Sequence, residues 1–137
     1  MKIAILGSGN GGCAVAADCA LHGNDVRIFD FEQFSSNIDA ISKAKGIVCT
    51  GQVKGFAPVS YSGSDIEKAV KGAELIYVVG PSYSHEAFAR EYKKVMESGQ
   101  TVIICPGTNG GALLFKKYLG LQFNDPSIVV AETSTLP

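Results

Sequence analysis

The sequence has no tryptophan and only 2 histidines. His22 and His85 stand apart, and no Ser-His-Asp set or metal cluster can be assembled around them, so no metal site is expected. Charge is scarce too: 18% of residues are charged, and 12 basic against 13 acidic side chains leave a net −1. A nucleic-acid module carries a basic excess, so nucleic acid is excluded as a partner. Low charge with 46% apolar residues also excludes general disorder. No apolar run approaches the roughly 20 residues that span a membrane. Met1-Lys2 leads into only a short apolar stretch before Gly7, which is no signal peptide. A soluble, cytoplasmic protein without a membrane partner is expected. Cys13, Cys19, Cys49 and Cys105 form no C-x-x-C pair and read as buried reduced thiols.

What is present is a strand–helix alternation. The 137 residues amount to one domain. Ile3 to Leu6, Val26 to Phe29, Leu75 to Val79 and Thr101 to Cys105 are short continuous apolar runs, as strands buried on both faces would be. Ile128 to Ala131 reads as a last strand. Helices are predicted over about 11–21, 32–45, 84–96 and 112–119, with short strands and turns over 47–61. Ser64-Asp65-Ile66-Glu67 reads as a capping box opening a short helix that Gly72 closes. Parallel strands need crossover connections, so the expected fold class is α/β, a doubly wound parallel sheet.

The 16 glycines have no three-residue period, which excludes collagen; they gather after the apolar runs. Gly7-Ser8-Gly9-Asn10-Gly11-Gly12 holds a G-x-G-x-x-G, after a buried strand and before a helix. Gly7 would allow the tight turn, Gly9 the close approach of a pyrophosphate, and Gly12 close helix packing, continued by Ala16 and Ala20. The helix start offers N–H groups and a partial positive charge to the phosphates. Asp30 closes the second strand, 18 residues after Gly12, where a carboxylate can accept from the adenosine ribose hydroxyls. It would repel a 2′-phosphate, and Phe31-Glu32 supply no cation, so NAD is favoured over NADP as cofactor.

Two further strand ends carry flexible and small polar residues: Gly80-Pro81-Ser82 and Pro106-Gly107-Thr108. Ligands of open α/β sheets lie beyond such ends, so these six residues are expected to line the nicotinamide half. Ser82 or Ser84 can equally serve as a helix cap. His85 could act as a neutral donor at a helix start, but a structural or surface role is the preferred reading. His22 and Asp18 form a solvated i,i+4 pair.

Together these residues resemble the cofactor-binding domain of the opine dehydrogenase family, the octopine/nopaline group. The resemblance is carried by the Gly7–Gly12 loop, by Pro81-Ser82-Tyr83-Ser84-His85-Glu86, by Pro106-Gly107-Thr108-Asn109-Gly110-Gly111-Ala112, and by Glu132-Thr133-Ser134-Thr135-Leu136-Pro137. It implies a Rossmann NAD(P)-binding fold over residues 1–137. It also implies NAD(P)H-dependent reductive condensation of a 2-oxo acid with an amino acid, an oxidoreductase acting on CH–NH. Family members carry a second, helical domain with the substrate site and a catalytic His/Asp pair. The catalytic residues are therefore expected outside this chain, and residues 1–137 alone are expected to be inactive. Two other readings stand: a stand-alone NAD(H)-sensing module, and a 2-oxo acid reductase of the ketopantoate type. The oligomeric state stays open, a homodimer included.

Overall fold

The computed structural model describes residues 1–107 and 109–136. In chain order the elements are β1 (Lys2–Leu6), α1 (Asn10–Leu21), β2 (Asp25–Phe29), α2 (Ser35–Ala44), β3 (Gly46–Cys49), β4 (Gly55–Pro58), β5 (Tyr61–Gly63), α3 (Ile66–Val70), β6 (Leu75–Val79), α4 (His85–Tyr92), β7 (Thr101–Cys105), α5 (Gly111–Leu119) and β8 (Val129–Glu132). Six strands form one sheet in the order β5-β2-β1-β6-β7-β8. Every pairing in it is parallel. The strand order reverses between β1 and β6, the topological switch point of a doubly wound sheet. β3 and β4 form a separate antiparallel pair.

Alternation along the buried strands builds the two layers. Ala4 and Leu6 of β1 join Val78, Ile104, Phe88, Tyr92 and Phe115 on one face, which α3, α4 and α5 cover. Ile3 and Ile5 join Val15, Ala16, Ala20, Ile38 and Ile41 on the other, with the hairpin residue Ala57. A strand with no polar face can sit only between two such layers, which is why its apolar run is continuous.

Three local readings are corrected. Asp65, not Ser64, caps α3: its carboxylate accepts the Lys68 N–H at 3.2 Å, and that bond holds its pKa below the ordinary aspartate range. α4 ends at Tyr92 rather than near 96, because its last turn tightens; Lys94 N–H donates to Glu91 O and Val95 N–H to Tyr92 O, each three residues back. Val95 and Met96 still pack on the core. Only Cys105 among the thiols is fully buried; Cys13, Cys19 and Cys49 are half-buried, and all four are free.

A buried amide ties the α3–α4 layer to the sheet. Gln100 accepts from Tyr92 Oη at 2.8 Å and donates to Ala73 O at 2.9 Å. With these partners the buried polar group is satisfied, and burial pushes the Tyr92 phenol well above its usual range.

Candidate functional site

A cavity of about 740 Å³ opens at the carboxyl ends of β1, β2 and β6. Its floor is the loop Gly7–Gly12, and Asp30 and Phe31 form the wall on the β2 side. Gly80, Pro81 and Pro106 line the opposite side. The fold thus brings ten of the predicted binding residues together: the six of the glycine loop, Asp30, Gly80, Pro81 and Pro106. Ser82 sits in an exposed one-turn 3-10 helix (Ser82–Ser84) and does not line the cavity. Gly107 is buried behind the wall against Glu132. Thr108 lies outside the described residues.

The three glycines of the G-x-G-x-x-G pattern, Gly7, Gly9 and Gly12, do different work. Gly7 has φ +115°, a conformation that side chains avoid, and a Cβ there would overlap the Val79 carbonyl. A Cβ on Gly12 would overlap the Gly7 carbonyl oxygen, whereas the nearest atom of the strand itself, Ile5 Cγ2, is 3.7 Å away. Gly12 is therefore small for the loop's sake more than for helix–strand packing. Gly9 is the exception. Its φ is −68°, acceptable to any residue, and a Cβ would meet nothing within 4 Å. Nothing among the described residues requires glycine there; Gly9 lines the cavity.

Gly9 is also the N-cap of α1 and supplies no side-chain bond to the helix. The first N–H groups of a helix have no partner within it. Here they meet the cavity with no acidic residue in the first turn, an arrangement suited to an anion.

Asp30 is buried and points into the loop. Its Oδ2 accepts both the Ser8 N–H at 2.6 Å and the Ser8 hydroxyl at 2.7 Å, and its Oδ1 accepts the Phe31 N–H at 2.9 Å. A carboxylate has about four acceptor positions, so one on Oδ1 is left for a ligand hydroxyl. This grip on Ser8 was not legible from the motif. The sequence reading also passed over Asn37, which lines the cavity and donates from Nδ2 to Ser8 O at 2.7 Å. Phe31, Phe34 and Tyr83 add an aromatic rim. Cys13 donates to the same Ser8 carbonyl; burial and the nearby Asp30 charge push its thiol up, away from the reactive thiolate.

His85 is buried, and its Nε2 sits 3.1 Å from the Gly80 carbonyl, where it can only donate. That is the structural role preferred from sequence. His22 and Asp18 are both exposed, as expected of a solvated pair. Among the described residues no group of three potential metal ligands occurs, and no helix is long and apolar enough to cross a membrane.

The sequence profile of the NAD-dependent glycerol-3-phosphate dehydrogenase N-terminus family matches residues 2–119. The chain belongs to that family. It is 37% identical over 134 residues to an opine dehydrogenase of Arthrobacter sp. (strain 1C), a match covering 97% of this chain and 36% of that protein. The octopine dehydrogenase structure in complex with NADH and agmatine superposes with a TM-score of 0.82 at 21% identity, over 100% of this chain and 36% of that one. A ketopantoate reductase of Ralstonia eutropha JMP134 superposes with a TM-score of 0.71 at 25% identity, over 96% of this chain and 40% of that one. The chain spans about a third of the length of the curated relatives it matches. The profile stops at 119, whereas the opine dehydrogenase match takes in nearly the whole chain, in keeping with the motif-based resemblance.

Proposed function

We propose that this chain is the NAD(H)-holding domain of an opine-dehydrogenase-like oxidoreductase acting on CH–NH bonds, with a 2-oxo acid and an amino acid as substrates. The observation that carries the dinucleotide reading is Gly9. Its glycine is dispensable to the fold, and the space beside it faces an uncapped helix start. A diphosphate explains both features. The loop from Gly9 to Gly12 would hold it, Asp30 the adenosine ribose, and Gly80, Pro81 and Pro106 the nicotinamide half. Gly107, buried against Glu132, would support that half from behind the cavity wall.

When bound, the nicotinamide supplies a hydride carrier. The chain's own residues bind and orient it. Asp30 selects against a 2′-phosphate because the segment Phe31-Glu32-Gln33-Phe34 that follows brings no cation to neutralise one. The opine specificity is supported by the 37% identity to an opine dehydrogenase over almost the full chain. The octopine dehydrogenase structures that share this fold include complexes with L-arginine, an amino acid, and with pyruvate, a 2-oxo acid.

Calorimetric titration with NADH and NADPH tests the reading. NADH binding at micromolar levels, tighter than NADPH, is expected. No binding of either would overturn it.

A further inference from the structure

We propose that Asn37 is a positioning residue for the diphosphate of the bound dinucleotide, acting through the carbonyl of Ser8. This rests on the dinucleotide reading above and adds to it a residue outside the glycine motif.

The argument is about two peptide planes. A trans peptide points its C=O and its N–H in opposite directions. The plane joining Gly7 to Ser8 is held by Asp30, which accepts the Ser8 N–H at 2.6 Å. Its other end, the Gly7 oxygen, points at Cα of Gly12, where a Cβ would overlap it. The next plane joins Ser8 to Gly9. Its oxygen accepts from Asn37 Nδ2 at 2.7 Å, so the Gly9 N–H is turned the opposite way, away from α2. That N–H stands at the residue whose side is open to the cavity. Cys13 Sγ also donates to the Ser8 oxygen, at 3.3 Å, but a thiol is a weak donor and sits on the helix that the loop itself opens. Asn37 is the anchor from outside, 29 residues along the chain on α2.

Asp30 and Asn37 thus grip Ser8 at its N–H and C=O ends from the second βα unit. They fix the direction of a backbone donor that neither of them touches. Asn37 is neutral, so its removal leaves the charge of the site unchanged. It is also exposed, so replacing it does not open the core.

The test uses Asn37→Leu, which keeps the size of the side chain and removes the donor, with Asn37→Ala as a second variant. Affinity for ADP-ribose and NADH should fall about five- to tenfold, the scale of one net hydrogen bond. Affinity for adenosine, which has no diphosphate, should not change. The Gly9 amide resonance should move in the ligand-free variants, while melting falls by no more than a few degrees, the effect of one part-buried hydrogen bond. Parent-like ADP-ribose binding in both variants would overturn the proposal. So would an equal loss for adenosine, which would place Asn37 directly on the nucleoside. Failure of the unsubstituted chain to bind ADP-ribose or NADH would instead overturn the dinucleotide reading itself.

Discussion

The molecule has two glycine clusters that follow a buried parallel strand and open a helix, and they are built to opposite ends. After β1, Gly9 has open space beside it and α1 begins with no side-chain cap. After β7, the helix start is satisfied from within, although a Cβ on its own N-cap, Gly110, would likewise meet nothing within 4 Å. A Cβ at Gly107 would overlap Glu132, and the Glu132 carboxylate reaches back from β8 to accept the N–H groups of Gly110 at 3.0 Å and Ala112 at 2.6 Å. Those bonds hold Glu132 below the ordinary glutamate range. One helix start therefore has no side-chain cap, while the other is capped by a carboxylate of the chain itself. A glycine cluster is evidence of close approach; what approaches is decided by residues elsewhere in the chain.

The sharpest way to break this comparison is to substitute glycines within the first loop. Gly12→Val sets a side chain against the Gly7 carbonyl, which cannot move without undoing the loop. A loss of about 3 kcal/mol is expected, read as a melting temperature lowered by about 10 °C. Gly9→Val should leave melting within about 1 kcal/mol of the parent and lower NADH affinity at least about 100-fold by calorimetry. Equal effects of the two on stability would erase the distinction between a glycine for the fold and a glycine for the ligand.

Asp30→Ala is expected to act on both properties, and less strongly. It strands the buried Ser8 N–H and hydroxyl, which should cost about 1–3 kcal/mol in chemical denaturation. NADH should bind more weakly and the gap to NADPH should narrow. Unchanged denaturation would mean that the Ser8 grip carries no weight, and an unchanged NADH-to-NADPH ratio would remove Asp30 from the ribose.

The smallest effect belongs to the second cluster. Because the folded state lowers the Glu132 pKa, its cap stabilises above the unfolded-state pKa and is lost as pH falls through the folded one. Glu132→Gln should melt slightly below the parent at neutral pH, and the difference should close as pH drops through the glutamate range. NADH affinity should stay as it was. A widening gap in acid would contradict the cap.

The parallel sheet and the first loop were legible because both rest on local chemistry. Continuous runs such as Ile3–Leu6 and Leu75–Val79 can be strands only if both faces are covered. A glycine motif between such a run and a small-faced helix has few other meanings. What the sequence hid was tertiary. Asn37 reaches Ser8 across 29 residues, and Glu132 reaches Ala112 across 20. No spacing rule joins those pairs, since each depends on where a strand order places two loops. The shift of the α3 cap to Asp65 is subtler: both Ser64 and Asp65 are good caps, and only the start of the helix chooses between them.

Backbone amide shifts on addition of NADH to the isotope-labelled chain test the central claim most directly, since they read both helix starts at once. Large shifts at Gly9, Asn10, Gly11 and Gly12, with Gly110 and Ala112 still, are the predicted outcome. Shifts confined to Gly110 and Ala112, with the first loop silent, would contradict the account.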